Sequence, residues 1–507
     1  MNCSISSVRR GASIPLLVLL VLLVTSTGPA AGEASPPYSL VINNGRVIDP
    51  ETGLDAVRHV GIRDGRIMVL SESSLVGEHA IDARGRVVAP GFIDIHSHSL
   101  TPLGQIRNVL DGVTTQLEME AGALPAAAAG DSVREYPIIN YGASVGHFAA
   151  RIQVLEAREL PYFFYRGEQG SMDSPAFTQL ASTSQIEALR RKLVWGLDQG
   201  GLGIGLLLDY MRDAVSAEEL AMVFDVAGER QVPVFVHVRR NLPGDPAGLD
   251  EVLRLAEDYA APLFVCHITH NAMGGIDDWL KRIDAARARG VRVTTETLSY
   301  LAGGTSISAD VFRKRDWRAI FDIDYGDVQW VETGEWLTES SWQRYASTQP
   351  DGMVNHHYVK ERWLHSALRW PDMMVSTDAL PAFATERMTN PNISGSFSRF
   401  LGRYVRDQGV LELADGLSRI SLKQAQWLQS FAPAFSRKGR VQVGMDADLV
   451  VFDPDTVAAR ADYGAPWESP VGIDWVVVNG VVTVADGELE PGVAAGRYLD
   501  SGPLAGF

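Results

Sequence analysis

The feature that most constrains how this chain of 507 residues can fold is a succession of short apolar segments separated by helical patterns. Short apolar runs rich in β-branched side chains predict buried strands, and their alternation with helices predicts parallel strands joined by crossover helices. Eight such strands fit an α/β fold, the TIM-like (βα)8 barrel, whose functional residues lie at the carboxyl ends of the strands. The predicted strands are residues 92–96, 114–120, 138–144, 204–208, 234–238, 263–267, 291–295 and 374–377.

The two ends of the chain carry a different pattern, of short strands and tight turns. Asn-Gly and Asp-Gly pairs between alternating apolar residues are hairpin signals, and such strand-and-turn texture occurs near both chain ends. Because chain ends often meet, two half-sheets can close into one small β-sandwich. We therefore predict sandwich parts at 33–88 and 433–507, on either side of a barrel at 89–432.

The alternation of strands and helices is interrupted by residues 306–372, which are rich in Trp and acidic side chains. Such an excursion is either a surface insertion or a lid or pocket wall over the barrel mouth. Both interpretations stay open at the level of the sequence.

The sequence of residues 1–32 predicts a secretory signal peptide, which is not part of the folded domains. Arg9 and Arg10 precede an apolar run at 14–24 that is too short to span a bilayer comfortably, and small residues follow it. The protein is therefore expected to be exported, periplasmic or secreted, with no stable membrane span after cleavage. Cleavage removes one of the two cysteines, so Cys266 has no intramolecular partner and is expected to be a buried thiol.

The formal net charge of −17 limits the class of partner. Nucleic-acid phosphates need a basic face, so no nucleic-acid partner is expected. An acidic surface does not attract an anionic substrate at long range, so recognition of an anion must come from local Arg or His side chains. The sequence makes no prediction of oligomeric state.

The first predicted barrel strand runs into the sequence D-I-H-S-H, which contains His96 and His98. Side chains alternate along a strand, so both imidazoles point to one face, where they can bind a metal. The alternative is two unrelated histidines. Further histidines and carboxylates follow at other strand ends, which favours metal ligands.

The second predicted strand carries two carboxylates, Glu118 and Glu120, that alternate with Leu117 and Met119. If the apolar pair faces the surrounding helices, both carboxylates point into the barrel, where they are costly unless paired or bound to metal. Glu120 is nearer the mouth and is therefore the preferred metal bridge. A barrel ion pair with Arg or Lys is the alternative.

Three later strand ends add the remaining candidates. His237 and His267 each end an apolar strand, and His270 follows three residues after the second of them. Asp378 ends the last strand, where a carboxylate can touch a metal and accept a proton from its water. Core histidines and a helix N-cap at Asp378 are the alternatives.

These residues resemble the amidohydrolase superfamily, and within it the D-aminoacylase (N-acyl-D-amino-acid deacylase) branch. The resemblance covers nearly the whole chain after residue 32. The motifs that carry it are A-P-G-F-I-D-I-H-S-H, D-G-V-T-T, S-V-G-H, F-V-H-V-R, C-H-I-T-H-N-A-M-G, S-T-D-A-L-P and G-M-D-A-D-L-V-V-F-D-P. It implies a metal-bearing barrel with a β-sandwich built from both chain ends, one or two zinc ions, and hydrolysis of a linear amide by metal-activated water.

Position by position, the resemblance implies that His96, His98, His237 and His267 are metal ligands and that Asp378 is the catalytic acid and base. The Cys ligand that D-aminoacylases place after their second strand reads Ala121 here, with Glu120 beside it. We infer that a Glu replaces that Cys, as in proteins that resemble N-acyl-D-glutamate deacylases.

The residues that would hold a substrate carboxylate also depart from the family. Two positions after the sixth-strand His, where the family has a basic residue, this chain has Thr269. The segment that reads H-P-R in the family reads N-P-N here and ends in Asn392. Another cation must therefore hold the carboxylate, if it is held at all. The candidate substrate-binding residues are Arg239, His270, Arg151, Arg387, Tyr300 and His147, of which His147 could instead be structural.

Two rival functions remain at this level. A dihydroorotase-, hydantoinase- or dipeptidase-like enzyme would act on a cyclic amide or a dipeptide, but such enzymes usually bridge two metals through a carboxylated Lys, and no Lys is placed for this. An inactive binding protein of the same fold would have lost ligands, whereas every expected His and Asp is present. We therefore expect a hydrolase that acts on a small N-acyl amino acid or related amide.

Overall fold

The computed structural model describes residues 37–162 and 172–502. The predicted signal peptide at 1–32 lies outside the described residues. No helix within the two described ranges is both long and apolar enough to cross a membrane.

The strands are distributed over three sheets. They are β1 (Leu40–Asp49), β2 (Leu54–Arg63), β3 (Arg66–Ser71), β4 (His79–Asp82), β5 (Val87–Pro90), β6 (Phe92–Asp94), β7 (Val113–Ala123), β8 (Asn140–Gly146), β9 (Ile204–Leu207), β10 (Val234–His237), β11 (Leu263–Val265), β12 (Val293–Leu298), β13 (Gly303–Ser306), β14 (Val328–Trp330), β15 (Met353–His356), β16 (Met374–Ser376), β17 (Leu449–Phe452), β18 (Ile473–Val478), β19 (Val481–Ala485) and β20 (Glu488–Leu489).

The α-helices begin at polar caps in several places, because a side-chain oxygen there satisfies a free backbone N–H. Thr101, Ser182 and Ser216 cap α1, α4 and α5 in this way. The helices are α1 (Pro102–Leu110), α2 (His147–Leu155), α3 (Pro175–Thr178), α4 (Thr183–Asp198), α5 (Ala217–Arg230), α6 (Ala247–Asp258), α7 (Ile268–Ala272), α8 (Ile276–Ala288), α9 (Asp310–Lys314), α10 (Trp317–Phe321), α11 (Glu339–Thr348), α12 (Glu361–Arg369), α13 (Asn392–Arg399), α14 (Leu413–Leu417) and α15 (Lys423–Leu428).

Eight parallel strands form the barrel, in the order β6-β7-β8-β9-β10-β11-β12-β16. The two end strands are joined beyond their last residues, where Ser97 and Ala379 form a parallel bridge and the backbone N–H of His98 donates to the carbonyl of Ala379 at 3.0 Å. The predicted barrel is confirmed, and each predicted strand overlaps an observed one. Helices α4, α5, α6 and α8 cover the outside of β8 to β11 with one continuous apolar core.

The second sheet has nine strands, drawn from residues 40–90 and 449–489. Its path runs β20-β19-β18-β17-β5-β1-β2-β3, with β4 added on β1. Strand β5 pairs antiparallel with β17, with Val87 opposite Phe452, and this pairing joins the two parts. The expectation that both chain ends contribute to one β domain is confirmed.

The third sheet, β13-β15-β14, lies in the excursion between β12 and β16 together with α9, α10 and α11. Its apolar residues form a separate core rich in aromatic rings, in which Trp317 and Trp342 stack with centroids 4.8 Å apart. The excursion is therefore a folded unit with its own core, which allows it to hold side chains in fixed positions.

Candidate metal centre

Glu120 lies at the barrel mouth, with one carboxylate oxygen turned towards each of two pairs of histidines. Its Oε1 atom is 2.8 Å from Nε2 of His267 and 3.1 Å from Nδ1 of His237. Its Oε2 atom is 3.4 Å from Nε2 of both His96 and His98. A buried carboxylate placed in this way has the geometry of a bridge between two metal sites.

The backbone at two of the site residues is held in an unusual conformation. His267 and Asp378 have φ values of 32° and 47°, in the left-handed region that residues other than glycine rarely adopt. The contacts around them oppose relaxation, since the backbone N–H of Asp378 donates to the carbonyl of His96 at 2.8 Å and that of His267 donates to Glu296 at 2.5 Å. Residues in such conformations concentrate at functional sites.

Asp378 completes the inner ring of side chains. Its Oδ1 atom is 3.3 Å from Nε2 of His98 and 3.4 Å from Nε2 of His96. Its side chain is 18 % exposed and lines the cleft described below. Residues 379–391 contain no helix, so Asp378 has no helix to cap and the cap interpretation is not supported.

Glu118 and Glu120 do not share a role, although the sequence pattern placed both inside the barrel. The pairing of β7 with β8 shifts register between Glu118 and Ala123, which breaks the strict alternation of side chains. Both oxygens of Glu118 lie 3.0 Å from Nδ1 of His98, and Tyr162 donates to Oε2 at 2.7 Å. The metal-ligand prediction for Glu118 is therefore replaced by a supporting role behind His98.

Glu296, on β12, plays the matching part behind His96. Its Oε1 atom lies 3.0 Å from Nδ1 of His96, and its Oε2 atom accepts from Ser376 at 2.7 Å. A carboxylate on Nδ1 fixes the imidazole so that Nε2 faces the metal. Sequence reading missed Glu296, although a Glu within the V-T-T-E-T-L strand was itself a signal, because a buried carboxylate needs a partner.

Glu296→Gln should weaken zinc binding by about 10–100-fold without abolishing it, which is the usual effect of removing a partner that orients a metal-bound His. Zinc affinity is measured by competition with a chromophoric chelator. Glu219→Gln is a matched control, since Glu219 is also a buried carboxylate on a histidine but contacts none of the proposed ligands. Unchanged zinc affinity in Glu296→Gln would leave Glu296 with a purely structural role.

The electrostatics of the centre favour a bound cation. Burial opposes the charged form of His96, but Asp378 and Glu120 outweigh it and hold the pKa of His96 well above its usual value. Burial also opposes ionisation of Asp378, and the neighbouring histidines overcome it and lower its pKa to about 2. The carboxylates thus remain ionised and create a site of negative potential, which a divalent cation neutralises.

The set of donors fits zinc. One triad of His96, His98 and Glu120 and a second of Glu120, His237 and His267 each have their ligand atoms within 4.8 Å of one another. Imidazole nitrogens and a carboxylate oxygen are ligands that zinc prefers, and both triads are buried. The residues present can therefore hold one zinc ion in each triad, with Glu120 shared.

A cleft of about 880 Å³, part of it open to solvent, leads to this centre. The barrel supplies His98, Glu120 and Asp378, and the excursion supplies the opposite wall from β13, α9 and β15. Residues 306–372 thus lie where the pocket-wall interpretation places them. The residues of this segment that line the cleft are Ser306, Ala309, Asp310, Val311, Met353, His356 and Tyr358.

Arg239, the first candidate for binding a substrate carboxylate, does not line the cleft. Its guanidinium donates to Glu251 at 2.5 Å and to the carbonyls of Val215 and Arg212 at 2.7 and 3.2 Å, so each of its three nitrogens is engaged away from the cleft. The neighbouring Arg240 lines the cleft instead. Strand β10 ends at His237, and past a strand end side-chain alternation no longer determines where a side chain points, so the sequence does not distinguish Arg239 from Arg240.

His147 and Arg151 belong to a buried ion-pair network behind the barrel rather than to the cleft. Both contact Glu219: Nε2 of His147 at 2.9 Å and Nη1 of Arg151 at 2.5 Å. The three side chains are fully buried between α2 and α5. The substrate-binding prediction for His147 and Arg151 is replaced by a structural role.

Glu219→Ala should lower the free energy of unfolding by about 3–5 kcal/mol, because it leaves the Arg151 charge buried without its partner. The measurement is equilibrium unfolding in urea, followed by tryptophan fluorescence. Glu257→Ala, which breaks the exposed pair with Arg289, is the matched control and should cost far less, because solvent screens an exposed ion pair. Equal losses in the two variants would contradict the structural role of the buried network.

The remaining three substrate-binding candidates differ in their position relative to the cleft. Tyr300 donates its hydroxyl to the carbonyl of Ala461 at 2.7 Å and lies outside the cleft, so its predicted role is not supported. Arg387 is exposed and lines a separate, neighbouring cleft. His270 does line the cleft to the metal centre.

Comparison with known proteins points to one group of enzymes. The chain is 29% identical to an N-acyl-D-glutamate deacylase of Alcaligenes xylosoxydans xylosoxydans, over 91% of this chain and 96% of that protein. A D-aminoacylase whose crystal structure is described as defining a novel subset of amidohydrolases superimposes on 92% of this chain and 100% of its own, with a TM-score of 0.76 at 25% identity.

A second solved structure matches almost as well. The N-acyl-D-glutamate deacylase of Bordetella bronchiseptica, complexed with zinc and a phosphonate inhibitor that mimics the tetrahedral intermediate, aligns with 91% of this chain and 99% of its own. Its TM-score is 0.73 and its identity 26%. No protein-family model matches the chain.

Proposed function

We propose that this chain is a member of the amidohydrolase superfamily and a zinc-dependent deacylase that hydrolyses the linear amide bond of N-acyl-D-amino acids. The observation that carries the proposal is Glu120, whose two oxygens face two histidine pairs inside a cleft. Relatives with this overall fold are deacylases of N-acyl-D-glutamate and other D-aminoacylases. The cyclic-amide rivals usually bridge two metals through a carboxylated Lys, and no Lys is among the described residues that line the cleft.

Bound zinc would supply a Lewis acid that polarises the scissile carbonyl and acidifies the attacking water. Asp378 is placed to take the proton from that water, because it is ionised, faces the cleft and lies beside Nε2 of His98. The same carboxyl group then gives the proton to the amine nitrogen as the amide bond breaks. The wall formed by the excursion limits access of other water molecules to the reacting atoms.

The experiment that tests this function presents the zinc-loaded protein with matched N-acetyl-D- and N-acetyl-L-amino acids and measures the amine released. We expect release from the D series in preference to the L series. Hydantoins and dihydroorotate serve as cyclic-amide controls and should remain intact. Release from cyclic amides alone would favour the rival enzymes, and release from no amide would reject the proposal.

We also propose that the protein is exported after removal of residues 1–32, on the strength of the paired arginines and the apolar run that follows them. Intact-mass measurement of the protein recovered from a periplasmic fraction tests this. A mass that corresponds to a chain beginning close to residue 33 is expected. Recovery of the full-length mass from the cytoplasmic fraction alone would contradict export.

A further inference from the structure

Four buried side chains that line the cleft beside the metal centre come from three separate elements. Arg240 follows β10, His270 lies on α7, and His356 and Tyr358 lie at and after the end of β15 in the excursion. We call these four residues the Arg240 cluster. Each is less than a tenth exposed, and Nη2 of Arg240 is 3.5 Å from Nε2 of His237, so the cluster adjoins the proposed metal ligands.

The cluster contains polar atoms whose hydrogen-bonding capacity is unused. Within the described residues, both ring nitrogens of His270, both ring nitrogens of His356 and Nε of Arg240 are buried without a hydrogen bond of ordinary geometry. The backbone of Ala302 contacts the His270 ring and that of Gly303 contacts the His356 ring, but neither contact has ordinary hydrogen-bond geometry. Buried polar groups are nearly always satisfied, so such a concentration beside a cleft indicates a polar ligand.

Arg240 is held rigidly but has no carboxylate partner in salt-bridge contact within the described part of the chain. Nη2 donates to Oδ1 of Asn271 at 3.0 Å, and the guanidinium packs over the Phe321 ring at 5.2 Å. Asp209, which also lines the cleft, accepts instead from the Arg240 backbone N–H at 2.8 Å and from Arg315 at 2.9 Å. A fixed, buried guanidinium in this state is suited to an anion that enters from the cleft.

The two histidines add neutral donors to this one positive charge. Both rings are buried, and burial disfavours the charged form of an imidazole. Burial and the charge of Arg240 hold the pKa of His356 well below its usual value. Each neutral imidazole offers one N–H donor and one acceptor, so the cluster presents a cation flanked by donors, which is the complement of a carboxylate.

We propose, on the basis of the deacylase function above, that Arg240, His270 and His356 bind a carboxylate of the substrate's amino-acid part. At the two positions where the family that this chain resembles holds the substrate carboxylate, this chain has Thr269 and Asn392. Both are engaged elsewhere, Thr269 with Thr297 at 2.7 Å and Asn392 with the Thr377 carbonyl at 2.7 Å. The excursion thus contributes directly to substrate recognition, through His356. The carboxylate is either the α-carboxylate or one on the side chain, and the test separates the two.

The test compares Arg240→Met with Arg239→Met, a matched control whose guanidinium points away from the cleft. Both are assayed on N-acetyl-D-alanine, N-acetyl-D-glutamate and N-acetyl-D-alaninamide. Arg240→Met should raise KM by at least about 30-fold on a substrate whose carboxylate it binds, with kcat changed far less. A rise on both acids but not on the amide assigns the α-carboxylate, and a rise on N-acetyl-D-glutamate alone assigns the side chain.

A second variant and a binding measurement keep the result interpretable. His356→Phe retains a ring against Phe321 and Tyr358 but removes both ring nitrogens, and with them the N–H donor, so KM on the same acid should rise by about 5–10-fold. If the wild-type protein hydrolyses N-acyl-D-amino acids but KM is unchanged in Arg240→Met, the carboxylate subsite is refuted while the proposed function stands.

If the wild-type protein hydrolyses none of these substrates, the proposed function fails and the subsite is judged by binding alone. Titration calorimetry of the zinc-loaded protein with N-acetyl-D-glutamate then decides. Binding that is lost in Arg240→Met and kept in Arg239→Met supports the subsite. Absence of binding to the wild-type protein, or equal binding to both variants, refutes it.

Discussion

Glu120→Gln is expected to lower zinc content and activity together. The affinity for zinc and the rate of amine release should each fall by more than about 100-fold. Loss of a partner outside the ligand shell costs about 10–100-fold, so loss of the shared ligand should cost more. The amide keeps the size of the side chain but presents one oxygen instead of two, and therefore cannot serve both histidine pairs. Zinc is measured by mass spectrometry of the purified variant, and activity by amine release.

Glu118→Gln is the matched control for this prediction, since Glu118 lies two residues away on the same strand and contacts only Nδ1 of His98 among the proposed ligands. It should retain zinc at micromolar concentrations of the metal. If Glu118→Gln lost zinc and Glu120→Gln kept it, the ligand assignment would move to Glu118. Retention of zinc by both variants would mean that the two carboxylates form ion pairs within the barrel and do not bind the metal.

Asp378→Asn is expected to keep zinc and to lose turnover. The triad of Glu120, His237 and His267 does not include Asp378, so the metal it holds should remain. Asn preserves the size of the side chain but cannot accept a proton near neutral pH. A positioned general base is typically worth about 10²–10⁴ in rate, so kcat should fall by at least about two orders of magnitude while KM changes little.

The three readouts for Asp378→Asn separate chemistry from folding. Zinc content, KM and kcat are measured on the same preparation, and thermal unfolding confirms that the variant is folded. Near-wild-type kcat with normal zinc would show that Asp378 is not the base. Loss of zinc together with kcat would instead make Asp378 an essential ligand.

Much of the barrel and its inner ring could be predicted from the sequence, because strand ends follow directly from apolar runs. His237 ends β10, His96 and His267 lie two residues after β6 and β11, and His98 lies four residues after β6. The barrel brings all four to one mouth. A regular strand fixes the face of each side chain, and parallel strands bring their carboxyl ends together. The strand pattern and the barrel fold therefore both predict that these histidines meet at the barrel mouth.

Prediction failed where the backbone departs from regular geometry or where long-range partners decide. Leu117 and Met119 were expected to face the helices, but they pack with Phe235 and Phe264 in a core separate from the helix-facing one. The register of β7 against β8 also shifts between Glu118 and Ala123, and the two carboxylates contact different partners, Glu118 the Nδ1 atom of His98 and Glu120 the Nε2 atom of His267. Strand period alone contains no information about such a shift.

The substrate side of the cleft was the least predictable part. Arg239 and Arg240 are adjacent and chemically identical, and they differ in their long-range partners, among them Glu251 for Arg239 and Asn271 for Arg240. His356 lies in the excursion, whose position over the barrel depends on tertiary packing. Contacts between residues far apart in the sequence leave no periodic signal, so this wall is visible only in the structure.

A zinc titration measures whether zinc held around Glu120 supports hydrolysis of N-acyl-D-amino acids. Protein stripped of metal by a chelator is returned to buffer, and amine release from N-acetyl-D-glutamate is followed as zinc is added in known ratios. We expect no activity without metal, and recovery that saturates within about two equivalents of zinc, one for each triad. Full activity in the stripped protein, or none after zinc is restored to the folded protein, would contradict that expectation.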